Sequence, residues 1–142
     1  QRILDKWCDA KWNIEKCDTI SLVKKMKDIG LATDGNIMIG FPDETMDEMT
    51  TSFLMAKKHM DAAMDGLGFF IVQPFPGTKI YHETIANKQL SPNWHPDEIG
   101  WQKGSMFENM LIPNEVLVYC RRMMWQILRL DEKKKSVVDF VQ

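Results

Sequence analysis

The chain has 142 residues, a formal net charge of −2, 44% hydrophobic residues and 27% charged ones. That is enough for one ordinary soluble domain with a real core, and the near-balanced charge gives no electrostatic footprint for nucleic acid. No apolar run approaches the roughly 18 residues of a membrane-spanning helix, and no charged-then-apolar stretch reads as a signal peptide.

In chain order, residues 17–30 (CDTISLVKKMKDIG) predict a helix. Asp18 or Thr19 can cap it, Ile20, Val23 and Met26 share a face, and Gly30 stands where a C-terminal stop belongs. The segment LATDGNIMI ends in a continuous apolar run before Gly40, the pattern expected of a strand covered on both faces. Thr45 and Glu48 have the spacing of a capping box, and Met46, Met49, Phe53, Ala56 and Met60 then mark one face of a second helix. LGFFIVQ, rich in β-branched and aromatic residues, predicts a second buried strand. The alternation implies parallel strands joined by right-handed crossovers.

After Tyr81 the pattern changes. Residues 86–105 carry two Pro, two Gly and two Trp without a period and read as a long ordered loop with short helical turns. A strong helix is expected over residues 114–130, with Val116, Leu117, Cys120, Met123, Met124 and Ile127 on its apolar face. DEKKKSVVDFVQ then reads as a charged break before a short final helix or a frayed end. The chain divides on this reading into residues 1–85 and a loop-and-helix extension, residues 86–142. Two parallel strands cannot close a barrel or cover a sheet, so the strand edges call for partners: an upstream half of the same protein, or self-association through the edges.

Ligands of parallel α/β sheets bind where strands end at their carboxyl side. IGFPDET and QPFPGT both fall there. Gly40 leaves room for close approach to the backbone. Pro42 stiffens the strand exit, and Pro76-Gly77 suits the centre of a type II turn. Phe75 offers a flat apolar surface.

The run LVKKMKDIGLATDGNIMIGFPDET, followed by a helix, a strand and PFPGTKIY, resembles the second half of the radical S-adenosylmethionine (radical SAM) core, whose members carry "iiGlPGET" and, one helix and one strand later, "PyPGTply". The resemblance covers residues 1–81 and extends toward residue 130, where SMFENMLIPNEVLVYCRRMMWQIL is similar to the tail of cobalamin-binding members. It implies an α/β fold, the last strands of a partial (β/α)6 TIM-type barrel followed by a C-terminal helical segment. QRILDKW resembles the segment just after the fourth strand. By position, Ile37, Met38 and Gly40, with the loop of Phe41, Pro42, Asp43 and Glu44, would line the adenosine side of SAM; Gln73, Pro74 and Phe75 would flank the adenine. Asp43 departs from the family's Gly in "GlPGET"; if that position needs a positive φ, Asp is among the few residues that tolerate one.

The family's Cys-x3-Cys-x2-Cys motif, which supplies three thiolates to a [4Fe-4S] cluster, is absent from the sequence and would lie upstream. The resemblance therefore implies a piece of a larger radical SAM enzyme. That enzyme would use SAM, the cluster and, in the class this chain resembles most, cobalamin, for radical or methyl-transfer chemistry on a substrate the sequence does not name. A non-cobalamin member such as a methylthiotransferase, and a self-standing α/β interaction domain without cofactor, are the alternatives.

Other candidate groups are weaker. Cys8, Cys17 and Cys120 are an odd set at irregular spacing, a poor disulfide framework that favours a reducing, cytoplasmic setting. Cys120 is expected in the core. His59, His82 and His95 lack ligand spacing, so no metal site is expected in this chain. Asp43, Glu44, Asp47 and Glu48 complement the dipole at a helix start, Glu44 standing out because it lies inside the matched motif. Lys133, Lys134 and Lys135 read as a solvated break. Trp94 and Trp101 are expected to plug an edge of the barrel.

Overall fold

The computed structural model describes residues 1–9, 13, 16–100, 103–108 and 110–141, and from residue 130 onward the helical backbone path alone. Its elements are α1 (Arg2–Trp7), α2 (Thr19–Asp28), β1 (Asp34–Ile39), α3 (Met46–Asp61), β2 (Gly66–Ile71), α4 (Lys79–Ala86), a 3-10 turn at Pro96–Glu98 and α5 (Asn114–Val141). β1 and β2 pair in parallel, Asp34 opposite Gly66 through Ile39 opposite Ile71, with α3 as the crossover. Among the described residues this pair is the sheet, and a separate isolated antiparallel bridge links Leu90 and Phe107. The fold is mixed α/β. No helix among these residues is long and apolar enough to cross a membrane.

Local chemistry fixes the helix ends. Asp18 caps α2 by accepting the Ser21 amide at 3.0 Å. At the other end Gly30 takes a φ of +77°, and the amides of Gly30 and Leu31 bond back to the carbonyls of Lys27 and Met26. This reverse-turn stop satisfies carbonyls that the helix would leave open. Thr45 and Glu48 form the capping box that their spacing predicts. His59 accepts the Thr19 hydroxyl at Nε2 while Nδ1–H donates to the Met55 carbonyl, both at 2.7 Å, and so ties α2 to α3.

Ile39, Phe69 and Ile71 point to one side of the sheet, where Met49 and Ala56 of α3 and Leu117, Met124 and Leu128 of α5 meet them in the main core. Ile39, Met49, Ala56 and Leu117 are fully buried; burial of each larger apolar side chain contributes about 1.5–3 kcal/mol. Cys120 packs against this core, as does Phe53, whereas Met46 is 45% exposed at the helix start. A second cluster of Phe41, Val72, Ile80 and Phe107 closes the carboxyl end of the sheet, with Ile3 and Trp7 of α1 against it.

The structure departs from two expectations. β1 is covered on one face only: Asp34, Asn36 and Met38 alternate outward from the half-buried Gly35 and Ile37 and the buried Ile39. The apolar run NIMI hides this alternation because Met38 is apolar yet faces out. The break expected at residues 131–135 is absent, and α5 runs unbroken to Val141. Asp, Glu and Lys are compatible with helix, and a charged run without Pro or Gly has nothing to stop one.

Candidate functional site

β1 leaves the sheet at Gly40, whose φ of +82° lies where L side chains are strained. A Cβ there would stand 2.5 Å from Leu117 Cδ2. The room beside Gly40 is thus taken up by α5. The chain turns back through a bond from the Glu44 amide to the Phe41 carbonyl at 3.0 Å. Glu44 folds inward, and its Oε2 accepts the amides of Gly40 at 2.5 Å and Phe41 at 3.3 Å. Only 2% exposed, its carboxyl is pushed above the usual range by burial, which outweighs the two amide bonds, with the charges of Glu48 and Asp43 adding to the rise. The side chain clasps the strand exit.

Asp43 faces the other way. Its Oδ2 accepts Arg2 Nη1 at 2.8 Å and Lys6 Nζ at 2.9 Å, and its Oδ1 accepts Trp7 Nε1 at 2.8 Å. Arg2 also grips Glu48 with two bonds, at 2.7 and 2.6 Å. Burial raises the Asp43 carboxyl, but bonds from Lys6, Trp7 and Arg2 leave it below the ordinary range. Glu48 is lowered to about 2, first by Arg2. Trp7 completes the docking by stacking on Phe41, centroids 6.3 Å apart. Asp43 is not among the positive-φ residues, so backbone tolerance does not explain its presence; its side chain is what moors α1 over the loop.

At the second strand end, Gln73 is 6% exposed. Its Nε2 donates to the Gly104 carbonyl at 3.0 Å, while its Oε1 is buried without a partner among the described residues. Such an orphaned acceptor is rare in a folded interior. Gly77 has a φ of +86°, and the Thr78 amide bonds to the Phe75 carbonyl at 3.1 Å, the geometry of the type II turn that Pro76-Gly77 predicts. Thr78 then caps α4.

Of the nine candidate residues, Gly40, Phe41, Pro42, Glu44, Gln73 and Pro74 are buried, and Ile37 is half-buried. Met38 and Phe75 are exposed, by 54% and 41%. The two loops come together through the backbone, where the Val72 amide bonds to the Ile39 carbonyl at 2.9 Å. What they expose is the Met38 side chain and the Phe75 ring, while the Gln73 oxygen is enclosed. Sequence reasoning missed Arg2, Lys6, Trp7 and Leu117 as the groups that hold the first loop, because their partners lie 36 or more residues away. Trp94 packs on Tyr81 with centroids 5.3 Å apart; Trp101 lies outside the described residues.

The chain is similar to an uncharacterised methyltransferase of Pyrococcus horikoshii. The two are 42% identical over 77 residues, 54% of this chain and 16% of the relative. The chain thus matches about one sixth of the relative's length. No family model matches, and no solved structure does. Among the described residues, no three His, Cys, Asp or Glu side chains gather to hold a metal ion.

Proposed function

We propose that the chain is the second half of a partial (β/α)6 barrel in a radical SAM enzyme, and that its two strand-exit loops hold the adenosine part of SAM for methyl-transfer chemistry. The observation that supports methyl-transfer chemistry is the 42% identity, over 77 residues, to a protein named as an uncharacterised methyltransferase. The sequences IGFPDET and QPFPGTKIY, at consecutive parallel strand ends, add the family resemblance.

Several features fit SAM. Gln73 Oε1 is a buried acceptor lacking a partner among the described residues, suited to an adenine amino or ribose hydroxyl group. Phe75 presents a ring for stacking and Met38 an apolar surface on the open sheet face. With Leu117 filling the space beside Gly40, the ligand would approach from the Met38 side and meet the loop through its backbone. Glu44 would act as a positioning residue, holding the Gly40 and Phe41 amides in place. SAM itself supplies the activated methyl or adenosyl group; the chain orients it and excludes water.

The thiols do not fit a [4Fe-4S] cluster, since Cys8, Cys17 and Cys120 are separate free cysteines, and the ligands would have to come from upstream. Among the described residues the outer edge of β1 has no partner strand, and it is the edge that an upstream half would extend. The test is the reading frame ahead of Gln1. A Cys-x3-Cys-x2-Cys motif after a predicted strand is expected there. A start codon directly before Gln1, with no such motif, would overturn the reading in favour of a self-standing interaction domain.

A further inference from the structure

A groove of about 490 Å³ lies away from the two strand-exit loops, toward the amino-terminal half of the sheet. Its floor includes four consecutive β2 residues, Leu67, Gly68, Phe69 and Phe70. Side chains alternate across a strand, and Phe69 points into the main core. Asp34 and Asn36, from the outward face of β1, extend the groove over the open side of the sheet. The opening therefore follows the outer edge of β2 and spreads onto its uncovered face.

The far wall is α5, through Arg121, Arg122 and Trp125. Leu117, Met124 and Leu128 turn α5 toward the core, and Arg121, Trp125 and Arg129 form an i, i+4, i+8 ridge beside that buried face. The Arg129 guanidinium lies 3.7 Å from the centroid of the Trp125 ring. On the floor, Phe70 folds across Gly68: a Cβ on Gly68 would stand 2.9 Å from Phe70 Cε2. Gly68 thus leaves the space that the Phe70 ring uses.

We propose that this groove binds a planar organic anion, an aromatic ring bearing a carboxylate or phosphate at one end and a hydrogen-bond donor at the other. The volume lies within the roughly 300–1,000 Å³ typical of small-molecule sites. Guanidinium groups pair with carboxylate or phosphate through paired N–H bonds, which sets the anionic end at Arg121 and Arg122. Phe70 and Trp125 supply flat apolar surface for the ring. Asp34 repels an anion and accepts a donor, so it sets the polarity of the ligand, while the Asn36 amide both donates and accepts along the ring edge. This site is separate from the loops assigned to SAM and does not rest on that assignment.

The test uses the full-length protein that contains this chain, labelled with ¹⁵N at glycine and tryptophan, and three probes: 6-hydroxy-2-naphthoate, the neutral 6-hydroxy-2-naphthamide, and 2-naphthoate. The hydroxynaphthoate is expected to shift the Gly68 amide and the Trp125 indole signals saturably. The amide should bind about tenfold more weakly, and so should the acid to Arg122→Gln. Arg122 is exposed, so that variant keeps the fold, and unchanged dispersion of the spectrum checks it. Loss of the hydroxyl should weaken binding in the wild type but not in Asp34→Ala, which removes the acceptor. Equal affinity for acid and amide, an unaffected Arg122→Gln, shifts centred on Gly77 in the Phe75 loop, or no saturation would each overturn the proposal.

Discussion

Replacing Gly40 by Ala tests how α5 is seated on the end of β1. An L residue at a φ of +82° costs about 1–2 kcal/mol. The new Cβ would also lie 2.5 Å from Leu117 Cδ2 and 3.2 Å from Cδ1. Leu117 is fully buried, so it has little room to yield, and overpacking of this kind costs about 1–3 kcal/mol. Gly40→Ala should therefore destabilise the chain by about 2–5 kcal/mol. Leu117→Ala alone should cost about 2–5 kcal/mol through lost burial and a residual cavity, but it also removes both Cδ atoms. In that background Gly40→Ala should cost only the backbone part, about 1–2 kcal/mol. The cycle predicts a favourable coupling of about 1–3 kcal/mol, read from urea unfolding followed by tryptophan fluorescence and extrapolated to water. Additivity within about 0.5 kcal/mol would refute the reasoning, since the two side chains would then share no space.

Two further perturbations probe the carboxylates of the first loop, whose pH responses have opposite signs. Glu44 is raised by burial, so the folded chain holds a proton that the unfolded chain releases. Its contribution is therefore lost as pH rises from the ordinary glutamate range through its raised value. Glu44→Gln should flatten the fall in stability over that window, measured by urea unfolding at a series of pH values; an unchanged slope would count against the buried clasp. Asp43 and Glu48 are lowered, so their contribution is complete above the ordinary carboxylate range and is lost as pH falls toward their lowered values. Asp43→Asn at neutral pH should accelerate hydrogen exchange in α1 while leaving β1 amides protected, and an α1 as protected as in the wild type would show that Asp43 does not moor it.

What the sequence disclosed was mainly local. The capping box of Thr45 and Glu48, the Gly30 stop and the Pro76-Gly77 turn each depend on residues within a few positions, where backbone sterics and hydrogen-bond reach leave few solutions. The two parallel strands were legible from their apolar runs and the helix between them. Which face of β1 is covered was not, because Met38 disguises the alternation. The site divides in the same way. Strand exits and their Gly and Pro residues stood out, but the packing of Leu117 against Gly40 spans 77 residues of chain, and Asp43 meets partners in α1 that lie 36 to 41 residues before it. Contacts of that range come from tertiary packing and leave no periodic trace. The groove beside Arg122 and Trp125 was equally hidden, since its walls come from β1, β2 and α5.

The most direct test of the central claim is equilibrium dialysis of S-adenosylmethionine against the full-length protein that contains this chain, compared with its Phe75→Ala and Tyr119→Ala variants. Phe75 is 41% exposed at the second loop and Tyr119 is 62% exposed on α5, so neither change empties the core. Loss of ring stacking should weaken SAM binding by about tenfold in Phe75→Ala and leave Tyr119→Ala like the wild type. A wild-type protein that does not bind SAM, or equal affinities in all three, would contradict the assignment of these strand ends to SAM.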